Sequence, residues 1–400
     1  MKILYISNSR IPTEKAYGIQ IIKMCEAFSL QNNNLKLVLP TRKNKKFKNI
    51  DILKYYNIKN NFKIKKIKTF DPVFLMKLPD GVYIKFQLIF FSISSFFYLL
   101  FKKNKFVLNH PPNCSSKERA GVQDDKRQVQ GDIIFYTRDE YLLPLLQKFS
   151  NKVIWEAHTL PDNKNKYLKY WGKCYKIISI SQSLKNELVE LGIKENKIIV
   201  AHDGVDLNNF QKLKQKLNLA ENKKVILYSG HLYDWKGAQV LADASEFLPD
   251  DCVIVFIGGN DIDIKNFKNK NKILINKNKI LVLGYKNPQL IPEYLKSADV
   301  LILPNSAKYE KSKWTSPMKL FEYMASDRPI IASDLPNIKE VLNENNVVFF
   351  EPDNPQDLAE KIKNILVDKN LADKISQQAY QDVKNYTWDK RAKKILEFIK

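Results

Sequence analysis

The chain has 400 residues, enough for two or three domains at about 100–200 residues each. Its apolar share of 44% and charged share of 27% exclude wholesale disorder, and 12 glycines and 17 prolines exclude a collagenous or low-complexity chain. The net charge of +23 is lopsided: positions 1–200 hold 36 basic against 16 acidic residues (+20) and positions 201–400 hold 30 against 27 (+3), so the first half either faces an anionic partner or reflects a Lys-, Asn- and Ile-rich composition that explains the asymmetry less well.

In chain order, KILYIS (2–7) predicts a buried strand, NSRIPTEKAYG a polar loop, and Ile19 to about Leu30 a helix. LKLVLP (35–40), GDIIFYT (131–137), KVIWEAH (152–158) and CYKIISIS (174–181) predict further strands. Each is short and continuously apolar, as strands buried on both faces of a parallel sheet are. Between them, FQLIFFSISSFFYLLF (86–101) is flanked by lysines. A membrane span needs about 20 apolar residues, so this run predicts a surface-seeking or buried helix rather than a span. Positions 109–130 pair prolines with little periodicity and predict a mobile loop or insertion.

The pattern then restarts. Strands are predicted at KVILYSG (224–230), CVIVFIGG (252–259), KILVLG (279–284), within PEYLKSADVLILP (292–304), at RPIIASD (328–334) and at VVFFEP (347–352), with helix from about Pro355 to the end. A linker is predicted near DGVDLNNF (203–210). The expected class is α/β, with two facing Rossmann-like domains. Residues 1–205 form the first, 206–385 the second, and a terminal helix (386–400) crosses back. In open parallel sheets ligands sit beyond the carboxyl ends of the strands, so a cleft would collect the polar loops that follow them.

Two segments carry chemistry. In SGHLYDWKG (229–237) a strand ends at Gly230, and Lys236 and Gly237 precede a helix. An ammonium beside a helix N-terminus suits a phosphate, although a lysine on a solvated turn has the same appearance. In TSPMKLFEYMAS (315–326) Ser316 is the expected N-cap and Pro317 the first helical residue. Lys319 and Glu322 then lie three apart on one helix face. A carboxylate in that first turn can accept from ribose hydroxyls or simply serve the helix dipole.

Taken in order, the first loop with its glycine, HDGVD (202–206), the Gly–Lys–Gly segment, GY (284–285), the SPMKLFEYMA helix and YTWDKRA (386–392) resemble the family 4 (group 1) retaining glycosyltransferases of GT-B fold. The resemblance implies residue roles. Lys236 would bind the donor diphosphate and Glu322 the donor ribose. Gly18 would lie near the donor phosphates or sugar, His158 near the reaction centre, and Gly284 and Tyr285 around the base. Gly230, His231, Ser316, Pro317 and Met318 complete the expected donor site, with His158 and Lys236 as the catalytic pair. Arg138, at a strand end, could meet an anionic acceptor or pair with Asp139 or Glu140. Two departures stand out: His231 replaces an arginine of the family pattern, and Trp314 its first glutamate.

The implied reaction moves a hexose-type unit from a nucleoside-diphosphate sugar to a hydroxyl of a glycan or lipid-linked acceptor. It would retain anomeric configuration, with positive protein groups in place of a metal, and neither metal nor cofactor is expected. The rival readings are a nucleotide-sugar epimerase of the same architecture and a catalytically silent sugar-binding subunit. The basic residues are scattered and carry no nucleic-acid motif, so nucleic acid is not an expected partner. An anionic membrane surface is, through the basic first half and 86–101. The four cysteines have no metal-ligand spacing and read as reduced thiols. The expected location is cytoplasmic, at the inner face of the membrane.

Overall fold

The computed structural model describes residues 1–31, 33–42, 47, 50–59, 62–77, 81–108, 133–211 and 217–400. The expected loop at 109–130, with His110 and Cys114, lies outside the described residues. The chain forms two compact units. One comprises Met1–Ser179, Glu187–Ile199 and Ala392–Lys400, and the other Ile180–Asn186 and Val200–Arg391.

The first unit is built on a seven-stranded sheet ordered β3-β2-β1-β4-β5-β6-β7. Its strands are β1 (Lys2–Ile6), β2 (Asn34–Pro40), β3 (Lys63–Ile67), β4 (Ile133–Thr137), β5 (Val153–Ala157), β6 (Lys176–Ser179) and β7 (Ile198–Val200). Pairing is parallel from β3 through β6. Helix α1 (Ala16–Leu30) follows β1 and packs Ile21, Ile22, Met24, Cys25 and Phe28 into the core. The expected strands are all present. β3 and β7 were not among them, and both are edge strands. β3 reads KIKKI and is mostly exposed, as an edge guarded by lysines is. It lacks the continuous apolar run that marks a strand buried on both faces.

Helix α2 (Val82–Leu108) is longer than the 86–101 run that announced it. Its first 20 residues are long and apolar enough to cross a membrane by length and composition, and 22% of that window is buried. Phe91 and Leu99 face the core, whereas Ile84, Phe86, Ile89, Ile93, Phe97 and Phe101 are exposed.

The second unit holds a six-stranded sheet ordered β10-β9-β8-β11-β12-β13, parallel throughout. Its strands are β8 (Lys224–Ser229), β9 (Cys252–Ile257), β10 (Ile280–Gly284), β11 (Val300–Leu303), β12 (Ile330–Ser333) and β13 (Val348–Phe350). One side carries α3 (Ala238–Ala244) and α5 (Pro355–Val367), the other α4 (Met318–Ala325), and α6 (Lys369–Asp382) gives Ile375 to the first core and Ala379 to the second. Val225, Leu227 and Leu301 point to one core, and Ile226, Tyr228 and Ile302 to the other, the alternation expected of a sheet covered on both faces. Helix α7 (Trp388–Phe398) closes the chain. Cys25, Cys174 and Cys252 are buried free thiols.

Candidate functional site

Both strand orders are doubly wound, and each reverses between the unit's first strand and the one after its crossover: β1/β4 and β8/β11. Ligand crevices in open α/β sheets form at such switch points.

In the second unit the loops after β8 and β11 meet main chain to main chain. Ser306 N–H donates to the Trp235 carbonyl at 3.2 Å. Gly237 has φ +71°, and a Cβ there would collide with the Pro304 carbonyl, so both the left-handed conformation and the close approach require glycine. The loop carries an aromatic ladder at alternate positions. His231 stacks on Tyr233 (4.9 Å, 3°), Tyr233 lies near-parallel to Trp235 (6.4 Å, 16°), and the Lys236 ammonium sits 3.8 Å from the Trp235 ring centroid. Burial pushes Lys236 down to about 7.

Helix α4 meets the end of β8. The Tyr323 hydroxyl accepts from Ser229 N–H at 2.8 Å. Lys319, 8% exposed, lays its stem against Gly230 and its ammonium 4.0 Å from the Tyr228 ring centroid. Burial, then Lys236, hold Lys319 well below the ordinary lysine range, with Glu322 opposing. Burial pushes Glu322 up to about 7, and Lys319 opposes that. Two ammoniums and one carboxyl group thus share the switch point. Such a set can bind an anion and place a group of adjustable protonation beside it.

The structure brings together most of the residues expected in the donor site. Gly230 and Gly284 are linked through the end of β9: Gly258 N–H donates to the Gly284 carbonyl at 2.9 Å, and a Cβ at Gly258 would meet the Gly230 carbonyl. Tyr285 follows on that edge, exposed. Met318 opens α4. Ser316 is not its N-cap. Pro317 takes that position in an extended conformation without a side-chain cap, and the Ser316 hydroxyl instead accepts from Asp203 N–H at 3.1 Å. Proline has φ already set and no N–H to satisfy, so the helix starts one residue later than the motif suggested. Trp314 is buried, and its carbonyl accepts from the Ser181 hydroxyl at 2.9 Å. An indole built into the core occupies the position of the family pattern's first glutamate.

In the first unit, the strand motif WEAH yields a site around a residue that sequence reasoning passed over. Glu156 is fully buried on β5. It accepts from the Gln20 amide of α1 and the Tyr136 hydroxyl of β4, and its Oε1 lies 2.8 Å from His158 Nε2. Arg138 Nη1 donates to Gln20 Oε1 at 2.9 Å, and its guanidinium stands 5.9 Å from the Tyr17 ring centroid. The hydrogen bond of Arg138 thus goes to Gln20, while its charge opposes the rise that burial imposes on both Asp139 and Glu140. Asp139 accepts from Asn8 N–H at 2.7 Å, tying the β1 and β4 loops across this switch point. One signal could have exposed Glu156, an ionisable residue inside an otherwise apolar strand. Gly18 is buried by its own unit: a Cβ there would stand 2.5 Å from the Tyr56 hydroxyl and 2.6 Å from the Thr13 methyl. Among the described residues no group of three or more His, Cys, Asp or Glu could hold a metal ion.

Two doubly wound α/β units, one with a lysine-lined switch point, define a protein of GT-B fold. Solved structures agree. Anabaena Alr3699/HepE in complex with UDP and glucose aligns with TM-score 0.68 at 16% identity, over 99% of this chain and 98% of that one. Sucrose-phosphate synthase from Thermosynechococcus elongatus aligns with TM-score 0.74 at 15% identity, over 99% and 97%. Residues 209–382, inside the second unit, match the family described as Glycosyl transferases group 1. Among curated relatives, an uncharacterized glycosyltransferase of Methanocaldococcus jannaschii is 25% identical over 248 residues, 58% of this chain and 62% of that one. The N,N'-diacetylbacillosaminyl-diphospho-undecaprenol alpha-1,3-N-acetylgalactosaminyltransferase of Campylobacter jejuni is 27% identical over 223 residues, 53% and 56%. The chain spans 62%, 56% and 56% of the length of the first three curated relatives it matches.

Proposed function

We propose that the protein transfers a hexose-type unit from a nucleoside-diphosphate sugar to a hydroxyl of a cell-surface glycan precursor, with retention of anomeric configuration. The observation that carries this reading is the meeting of Lys236, Lys319 and Glu322 at the end of β8. As the bond between the anomeric carbon and the diphosphate oxygen breaks, its electron pair stays on the diphosphate. Ammoniums held in place at that point stabilise the growing charge. The acceptor oxygen bonds to the anomeric carbon, and its proton passes to the departing diphosphate oxygen. Glu322 receives the ribose hydroxyls, and His158, held by Glu156, serves the sugar. With two ammoniums beside the diphosphate, we expect turnover without a divalent ion. The names of relatives support the substrate class: one solved neighbour is a complex with UDP and glucose, and one curated relative is named for transfer in a diphospho-undecaprenol context.

The exposed aromatic face of α2 favours a lipid-linked acceptor taken at an anionic membrane surface on the cytoplasmic side. Apolar side chains there and lysines in the same unit suit the headgroup region, where each cation contributes about 1 kcal/mol. The deciding experiment incubates the full chain with UDP-, GDP- and dTDP-sugars and scores nucleotide release with and without acceptor. Acceptor-dependent release supports transfer, interconversion of the sugar without release indicates the epimerase, and binding without turnover indicates a silent subunit. Turnover that vanished in chelator and returned with magnesium would refute metal independence.

A further inference from the structure

A buried ammonium needs a counter-charge or hydrogen bonds, because burial disfavours the charged form. Lys319 has neither in full. Its ammonium faces the Tyr228 ring at 4.0 Å, and it has no hydrogen-bond partner among the described residues. It is the second residue of α4, where the helix dipole opposes a cation. The groups that face it are Lys236 from the loop after β8, Tyr228 from β8 and Glu322 from its own helix; the first repels it and only the last carries an opposing charge. Methionine would fill the same space against Gly230 and Tyr228 without these penalties. A lysine kept in such a place points to an anion that it meets.

We infer that Lys319 is a ligand-binding residue of the second unit, its ammonium joining that of Lys236 on the diphosphate of a nucleoside diphosphate. The inference rests on the reading that this unit takes a nucleoside-diphosphate donor. A dianionic or trianionic group balances two ammoniums, whereas a monoanion leaves one repelling the other. His231, stacked on Tyr233, is engaged in the aromatic ladder, so the diphosphate charge falls to the two lysines. Because burial and mutual repulsion favour neutral lysines, binding of the anion draws in protons, and affinity falls as pH rises above neutrality.

The test is calorimetric titration of the full chain with UDP, GDP and dTDP, with the corresponding nucleosides as controls, in two buffers of different ionisation enthalpy. Wild-type protein should bind at least one diphosphate with proton uptake. Lys319→Met should weaken that diphosphate at least tenfold, weaken the nucleoside less than twofold, lower the proton uptake and melt no lower than wild type. A wild-type chain that binds none of the three diphosphates would sink the donor reading itself. Wild-type binding that Lys319→Met leaves intact, or an equal loss for diphosphate and nucleoside, overturns the inference alone. Should Lys319→Met fail to fold, Lys319→Gln carries the same comparison.

Discussion

The two switch points are built on opposite plans. In the first unit a buried carboxylate gathers its donors from within the fold: Gln20, Tyr136 and His158 converge on Glu156, and Arg138 extends the network through Gln20. In the second unit two ammoniums lean on aromatic rings, and their charges repel. A satisfied polar network fixes one geometry before any ligand arrives. A cluster of like charges instead places its largest interaction energy at the disposal of an incoming anion. The contrast predicts that substitutions in the first unit act on stability and positioning, and those in the second on binding and turnover.

The largest effect should come from Lys236→Ala. Loss of one charge-stabilising donor should lower acceptor-dependent nucleotide release by about 10²–10³-fold, with a melting temperature no lower than wild type. A loss of stability on that scale would erase the contrast. Next comes Glu156→Ala, which leaves buried donors on Gln20 and Tyr136 without their acceptor. Denaturant unfolding should report a loss of about 3 kcal/mol. Glu156→Gln should keep most of that stability yet reduce turnover about 10²-fold, because the carboxylate that positions the His158 ring is gone. Unchanged turnover would reduce Glu156 to a packing residue.

Titration gives a smaller and more specific signature. Lys236 is depressed from 10.5 to about 7, so across that window the unfolded chain binds more protons and stability rises with pH. Glu322 is raised from 4.5 to about 7, so across that window the folded chain binds more protons and stability falls as pH rises. Together they predict a stability minimum near neutrality, readable in melting temperatures across pH and absent from a Lys236→Met, Glu322→Gln double variant. The smallest effect on chemistry should come from Phe97→Ser with Phe101→Ser on the exposed face of α2. Flotation with anionic liposomes should fall severalfold, while turnover on a soluble acceptor stays unchanged. Equal flotation of variant and wild type would remove the membrane reading.

Much of this plan was legible in the sequence because parallel strands covered on both faces print as apolar runs. The strands from KILYIS to VVFFEP could be read that way, as could the anchoring of Lys236 and Glu322 to the starts of two helices. The edges could not: KIKKI has the composition of a surface, and only its pairing with β2 makes it a strand. Glu156 was passed over because its partners are distant in the chain. Gln20 lies 136 residues away and Tyr136 lies 20, and no local pattern announces a hydrogen bond of that span. The burial of Lys319 was equally silent, since a lysine in a first helical turn reads as a solvated one. The ladder of His231, Tyr233 and Trp235 was in plain sight at alternate positions, but stacking depends on a loop conformation that spacing alone does not specify.

The glycines that end three neighbouring strands have a consequence for how this edge can drift over generations. At Gly230, Gly258 and Gly284 the surface is bare main chain, and any side chain at Gly258 would press on the carbonyl of the strand beside it. Amide and carbonyl groups are the same whatever the sequence, so point mutation cannot rewrite what this ledge offers. Differences in specificity must therefore be written in its borders, where the exposed Tyr285 can change without parting the strands.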